Sequence, residues 1–161
     1  MVRVARVRHA TRAAAIAVAF TADGVLMSNR EAPPFVGLEV RGEPRVQERH
    51  RINMRVPGHP TIWDPSGPLK SSFRNAVTRA LIELGTDGRA FPLYAPGDAI
   101  NITIVFATSN MAKDLDNLLK FVFDALQGVV YGNDRRILSV RAEKVQVQAG
   151  QGFTSIQVNA I

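Results

Sequence analysis

Residues 100–127, INITIVFATSNMAKDLDNLLKFVFDALQ, carry the strongest secondary-structure signals in the chain. Residues 100–107 are rich in β-branched side chains, which predicts a buried strand. Residues 116–127 place apolar side chains at spacings of three and four, which predicts a helix, and Gly128 is a typical residue to end it. The segment therefore predicts a strand followed by an amphipathic helix.

Further elements are predicted on either side of this segment. Apolar patterning predicts strands over residues 35–40, 137–147 and 153–158. A first helix is predicted over residues 69–85 by the same spacing rule. Residues 42–60 are polar and rich in arginine, which indicates a long surface loop or a bent hairpin. The order of elements predicts an α+β fold in which a small mixed sheet packs with two main helices.

Residues 1–34 differ from the rest of the chain and are interpreted as an N-terminal extension to a domain over residues 35–161. Four arginines precede the first acidic residue, Asp23. Such a segment suits an organelle transit peptide, a basic tail or the first strand of the fold. Asp23-Gly24 is also a turn signal, which leaves a short hairpin open.

Composition narrows the kinds of partner and metal. The 161 residues suit one domain, and the net charge of +6 favours a polyanionic partner, most commonly nucleic acid. A soluble basic surface with no such partner is the alternative. The absence of cysteine excludes disulfides and cysteine-bound zinc, and three scattered histidines do not suggest a histidine site. A hard metal with oxygen ligands, such as Mg²⁺, remains open. No apolar stretch approaches the roughly 18 residues of a membrane helix.

Two aspartates stand at the start of the second predicted helix. If the backbone is extended there, Asp114 and Asp116 point the same way and can face one site. Mg²⁺ usually takes one or two carboxylates together with phosphate and water. Helix capping is the competing interpretation, and it explains one aspartate better than two.

Other charged residues follow these two aspartates. Asp116, Lys120 and Asp124 form the polar stripe of an otherwise apolar helix, which is either functional or a solvated face with two ion pairs. Asp134 lies in a turn before the next strand and is either structural or a third carboxylate for a metal.

These residues carry a resemblance to a known family. The runs DLDNLLK (114–120), DAL (124–126) and GVVYGND (128–134) resemble the signature of the RusA-type Holliday junction resolvases. Residues 35–161 resemble the family more loosely outside these runs. The family often has Asp-Asp where this chain has Asn133-Asp134, and the second position is aligned with the important carboxylate.

The resemblance implies a RusA-like, homodimeric endonuclease that resolves four-way DNA junctions in recombination and repair, with Mg²⁺ or Mn²⁺ as cofactor. It implies metal ligands at Asp114, Asp116 and Asp134, a catalytic lysine at Lys120 and a supporting role for Asp124. Cytoplasmic, nucleoid-associated localisation is expected for a bacterial or phage protein, and organelle import is the alternative. Basic residues near the site or in the arginine-rich loop are expected to bind DNA: Arg45, Arg49, Arg51, Arg135, Arg136, Arg141 and Lys144.

The mode of assembly remains open, and so do two other functions. The broad apolar surface of the second helix, with Leu119, Phe123 and Leu126, suits either a dimer contact or burial against its own sheet. A DNA-junction-binding module with weak catalysis would keep the basic surface and lose cutting. In a scaffold protein, the aspartates would only cap and pair.

Overall fold

Seven strands and two helices make up the parts of the chain that the structure describes, which are residues 15–19, 35–53, 61–86 and 91–161 of a computed structural model. The strands are β1 (Ala15–Ala19), β2 (Phe35–Arg41), β3 (Arg51–Asn53), β4 (Thr61–Trp63), β5 (Ile100–Thr108), β6 (Ile137–Gln146) and β7 (Phe153–Ala160). The helices are α1 (Gly67–Leu81) and α2 (Leu115–Leu126). This composition confirms the α+β class.

A mixed sheet of five strands forms the centre of the fold, in the order β1-β2-β7-β5-β6. Adjacent strands in this sheet are antiparallel, except that β5 and β6 run parallel. Parallel neighbours need a crossover connection, and α2 provides it. Since β5 and β6 point the same way, α2 begins at the end of the sheet where β5 finishes and ends near the start of β6. This geometry decides which site residues can meet.

One face of the sheet packs against the helices and holds the core. Strand β5 alternates between buried and half-buried residues, and Ile100, Ile102, Ile104 and Phe106 are buried beneath α1 and α2. The two helices also contact each other, with the ring of Phe73 set edge-on to that of Phe121 at a centroid distance of 5.8 Å. The result is a two-layer arrangement with one main hydrophobic core.

Helix α1 differs in its bounds from the predicted span of residues 69–85. It starts two residues earlier because Pro68, in its first turn, suits a helix start, where its missing N–H costs nothing. It ends at Leu81 and continues as a π-helical turn, Ile82–Thr86. None of the described helices is long and apolar enough to cross a membrane.

The structure describes the N-terminal extension and the arginine-rich segment only in part. Strand β1 pairs with β2 at one edge of the sheet, so the N-terminal extension supplies an edge strand. The second half of the hairpin considered for residues 16–28 lies outside the described residues. Residues 51–53 of the arginine-rich segment form β3, which pairs with β4 as a separate two-stranded ribbon after an irregular stretch over residues 42–50. Residues 54–60 lie outside the described residues.

Candidate active site

Two exposed carboxylates mark the N-terminal end of α2. Asp114 is the N-cap residue with extended backbone, and Asp116 lies in the first turn. The Asp114 side chain makes no capping hydrogen bond and accepts only a long bond of 3.3 Å from the Asn117 amide. The Asp116 side chain makes no hydrogen bond or ion pair within the described part of the chain. Capping therefore does not account for either carboxylate.

The expected alignment of these carboxylates rested on extended backbone through both residues. The helix instead begins at Leu115, so Asp114 precedes it and Asp116 is already helical. The rule that residues i and i+2 point the same way does not apply across this boundary. What the structure provides is two carboxylates at one exposed helix end, where the helix dipole favours negative charge.

The loop that leads into α2 is held by Glu43. Its carboxylate accepts hydrogen bonds from the Lys113 ammonium at 2.7 Å, from the Thr108 hydroxyl, and from the backbone and hydroxyl of Ser109 at 3.3 Å. Burial by itself would raise the pKa of Glu43, but these hydrogen bonds and the charge of Lys113 hold it at about 2. Close packing behind it requires Gly152, because a Cβ there would lie 2.9 Å from the Glu43 Cα.

Lys120 and Asp124 continue along α2 from Asp116. Lys120 is exposed, and its ammonium has no hydrogen-bond or ion-pair partner among the described residues. Asp124 bonds instead to Lys70 of α1, with 2.6 Å between the ammonium and the carboxylate. The polar stripe thus divides into an exposed part, Asp116 and Lys120, and a part that joins the two helices.

Lys70 is shared between two carboxylates. Besides Asp124, it donates to Asp64 at 2.8 Å, and Asp64 also accepts from the Ser66 backbone and the Gln47 side chain. Burial tends to raise the pKa of Asp64, yet the hydrogen bond from Lys70 and the other donors lower it to about 2. The same carboxylates outweigh burial at Lys70 and raise the pKa of its ammonium.

Asp134 lies at the opposite end of α2 from Asp114 and Asp116. It opens a short 3-10 turn directly before β6. The neighbouring Tyr131 donates its hydroxyl proton to the Phe123 carbonyl at 3.1 Å, near the C-terminal end of α2. Burial, and then the charges of Asp134 and Asp124, raise the pKa of Tyr131 above its ordinary value.

The length of α2 separates Asp134 from Asp114 and Asp116. Its 12 residues span roughly 18 Å. Across the described ranges, no three His, Cys, Asp or Glu side chains form a group that could hold a metal ion. The chain brings Asp114 and Asp116 to one end of α2 and leaves Asp134 at the other.

A comparison with protein families shows to which family this chain belongs. The family model described as Endodeoxyribonuclease RusA matches residues 42–158, well over half of the chain. The chain belongs to the RusA endodeoxyribonuclease family. This confirms the resemblance seen in residues 114–134 and places the chain among nucleases that act on DNA. No curated protein matched the chain.

The basic residues expected to bind DNA lie in two groups in this RusA-family chain, and the first is in the arginine-rich segment. The loop that carries Arg45 and Arg49 is tied to the start of α2, since the Gln47 backbone N–H donates to the Asn117 carbonyl at 2.9 Å. Arg51 begins β3 and forms an ion pair of 3.4 Å with Glu48. All three arginines are exposed.

A second basic group lies near Asp134 and along β6. Arg135 and Arg136 are exposed and line an open cavity of about 480 Å³ together with Asn133. Arg141 is exposed in the middle of β6. Lys144 is half-buried and donates to the carbonyls of Met111 and Lys113 at 2.9 and 2.7 Å, so its contacts support the loop before α2.

Sequence reasoning did not single out Glu43, Asp64 or Lys70 as site residues. Glu43 is 65 positions from Thr108, and Lys70 is 54 positions from Asp124. Such contacts depend on which strands become neighbours, and no local spacing encodes that. The only hint is that charged residues follow directly after β2 and β4.

Proposed function

We propose that this chain is a magnesium-dependent endonuclease that resolves four-way DNA junctions by paired symmetric nicks as a homodimer. The observation that carries the proposal is the exposed, uncapped pair Asp114 and Asp116 at the start of α2, in a chain of an endodeoxyribonuclease family. Carboxylates that neither cap nor pair contribute little to folding. Their arrangement is explained by binding a cation next to a phosphate.

The donor set fits Mg²⁺ in its chemistry. Asp114 and Asp116 offer hard oxygen ligands, and one or two carboxylates with phosphate and water are what Mg²⁺ usually takes. When bound there, Mg²⁺ would lower the pKa of a water molecule and neutralise charge on the phosphate. The pair alone supplies two ligands, and Asp134 of the same chain lies too far along α2 to add a third.

A second copy of the chain can supply the missing carboxylate. If a two-fold axis crosses α2 near its middle, the start of one α2 faces the end of the other. Each site would then combine Asp114 and Asp116 of one chain with Asp134 of its partner, and we call this the shared site. A symmetric dimer produces two such sites related by the axis. The two scissile phosphates of a four-way junction are related in the same way.

The surface beside α2 suits this contact. Strand β6 is an edge strand in the described sheet, and its Leu138 and Val140 are 67% and 42% exposed. Helix α2 contacts β6, and its Leu119 and Phe123 are only partly buried. Leu126, by contrast, is fully buried in its own core. Unpaired strand edges and exposed apolar patches are common contact surfaces between chains.

Each nearby side chain has a role in the proposed reaction. Asp114 and Asp116 would hold the cation, and a bound cation would neutralise charge on the scissile phosphate. Lys120, one turn further along α2, presents an unpaired ammonium that stabilises negative charge as it develops on the phosphate. The exposed arginines of residues 45–51 and 135–141 offset the repulsion between carboxylates and DNA and bind the backbone of the arms.

A cleavage assay tests the function directly. Purified chain with Mg²⁺ is expected to nick a synthetic four-way junction at paired symmetric positions and to cut a linear duplex of the same sequence poorly. Chelation should stop cutting without abolishing junction binding. Binding without any cleavage over long incubation would contradict the enzyme assignment, and equal cutting of duplex and junction would contradict the substrate.

A further inference from the structure

The β3–β4 ribbon stands apart from the main sheet and carries an exposed aromatic residue. Arg51 and Trp63 are directly paired across its two strands. The Arg51 guanidinium carbon lies 5.8 Å from the centroid of the Trp63 ring, within the range of a cation–π contact. Trp63 is the only tryptophan of the chain.

Trp63 is much more exposed than a structural tryptophan usually is. It remains 47% exposed, and Ile62 beside it is 65% exposed. Tryptophan buries a large apolar area when it serves a core, and the described core of this chain is built without it. The contact with Arg51 covers only part of the ring. An exposed tryptophan beside a cation is therefore available to a ligand with a flat, apolar face.

The base of the ribbon is fixed relative to α2. Asp64 follows Trp63 directly and accepts hydrogen bonds from Ser66 and Gln47. Lys70 then links Asp64 to Asp124 of α2. Trp63 is consequently one residue from a rigid connection to the helix that carries Asp116. Whatever binds Trp63 is positioned with respect to the candidate active site.

We propose that Trp63 and Arg51 form a stacking site for an exposed nucleobase face at the branch point of the junction. The proposal rests on the proposed function for the type of DNA. Aromatic rings bind exposed bases by stacking, whereas the bases of an intact duplex are already stacked on each other. Charge favours DNA as the occupant, because Arg45, Arg49 and Arg51 lie on the same segment and offer contacts to phosphates. Continuous duplex would meet these arginines but leave Trp63 without a base.

The single tryptophan makes the contact directly observable. Titration is done in EDTA, so that no cleavage occurs, with a four-way junction and a linear duplex whose ends are all closed by hairpins. Closed ends matter because an open end also exposes a base face. The junction is expected to quench the Trp63 emission and protect it from acrylamide, while the closed duplex, at a concentration that saturates binding, changes it little. Labelled DNA in the same cuvette reports binding by anisotropy.

Variants separate stacking from general affinity. Trp63→Ala should weaken junction binding on the order of tenfold and leave closed-duplex binding unchanged, so that preference for the junction is lost. Trp63→Phe should retain part of the preference because a smaller aromatic ring still stacks. Ile62→Ala is the matched control, since its side chain lies on the opposite face of the ribbon, and it should bind both DNAs as the unmodified chain does.

Each outcome decides the proposal separately from the cleavage function. A junction that binds by anisotropy but leaves the Trp63 emission unchanged would overturn the stacking site, whether or not the chain cuts. Unchanged junction preference in Trp63→Ala would do the same. A blue shift that grows with protein concentration in the absence of DNA would assign the surface to a second copy and also overturn it. Quenching by the junction in a chain that never cuts would support the stacking site and count against the nuclease proposal alone.

Discussion

At the scale of single residues, the carboxylates around α2 differ in whether nearby donors surround them. Glu43 and Asp64 are surrounded by donors, and each has a pKa lowered to about 2, with donors outweighing burial. Asp116 lies at a helix start where it could have capped or paired, yet it does neither within the described residues. Its exposed oxygens are available to a cation.

Replacing Asp116 by Asn should abolish cleavage and keep junction binding. The amide has nearly the same shape but lacks the charge needed to hold Mg²⁺, and the loss of negative charge next to phosphate favours DNA binding. Single-turnover cleavage and anisotropy on the same junction measure the two effects. Glu83→Gln, which changes an exposed carboxylate after α1, is the control and should cut normally. Near-normal turnover of Asp116→Asn would remove this residue from the site.

At the scale of secondary-structure elements, long-range ion pairs set the position of α2. Lys70 joins α1, α2 and the base of the β3–β4 ribbon, while Glu43 joins the end of β2 to the loop before α2. These contacts fix α2 near both of its ends, through the loop before it and through Asp124 in its last turn. They also explain why residues outside the active site should influence it.

Replacing Lys70 by Met should destabilise the chain by about 1–3 kcal/mol, because Asp64 and Asp124 lose a shared donor and repel each other. The lower part of that range is expected, since Asp124 is 40% exposed and solvent screens its charge. Urea unfolding provides the measurement. The double variant Lys70→Met/Asp124→Asn removes the repulsion as well and should recover part of the loss. Unchanged stability of the single variant would mean that this contact does not hold the helices together.

Acid should weaken the same connections. Glu43 has its pKa lowered to about 2 from an ordinary 4.5, so the folded chain holds its carboxylate charged more strongly than the unfolded chain does. Its contribution to stability is therefore complete above pH 4.5 and is lost as pH falls towards 2. The pKa of Asp64 is lowered to about 2 from an ordinary 3.8, so protonation of Asp64 removes further stability as the pH falls. Urea midpoints measured across this window should fall with pH, and Glu43→Gln should show a shallower fall. A parallel profile for that variant would contradict the assigned role of Glu43.

Much of the fold was predictable from local patterns. The periodicity of residues 116–127 located α2 to within one residue at each end, and the β-branched run located β5 equally well. The strand order and the contacts of Glu43 with Thr108 and of Lys70 with Asp124 were not predictable, because they join positions far apart in the sequence. For the candidate site, spacing identified the aspartates, but only the parallel order of β5 and β6 revealed that α2 separates them.

At the scale of the whole molecule, α2 makes one chain insufficient for the proposed metal site. Its length places Asp134 away from Asp114 and Asp116, and the exposed edge at β6 offers a surface for a second copy. A dimer with a two-fold axis across this surface would complete both sites together. Assembly and catalysis would then depend on the same contact.

Mixing two inactive variants tests this central claim most directly. Asp116→Asn and Asp134→Asn are purified separately, unfolded and refolded together, and assayed on a four-way junction with Mg²⁺. In a shared site, the mixed dimer combines both substitutions in one site and leaves the other fully intact. The mixture should therefore recover nicking of one strand although each variant alone is inactive. A mixture that forms mixed dimers, shown by differently tagged chains, but remains inactive would contradict the shared site.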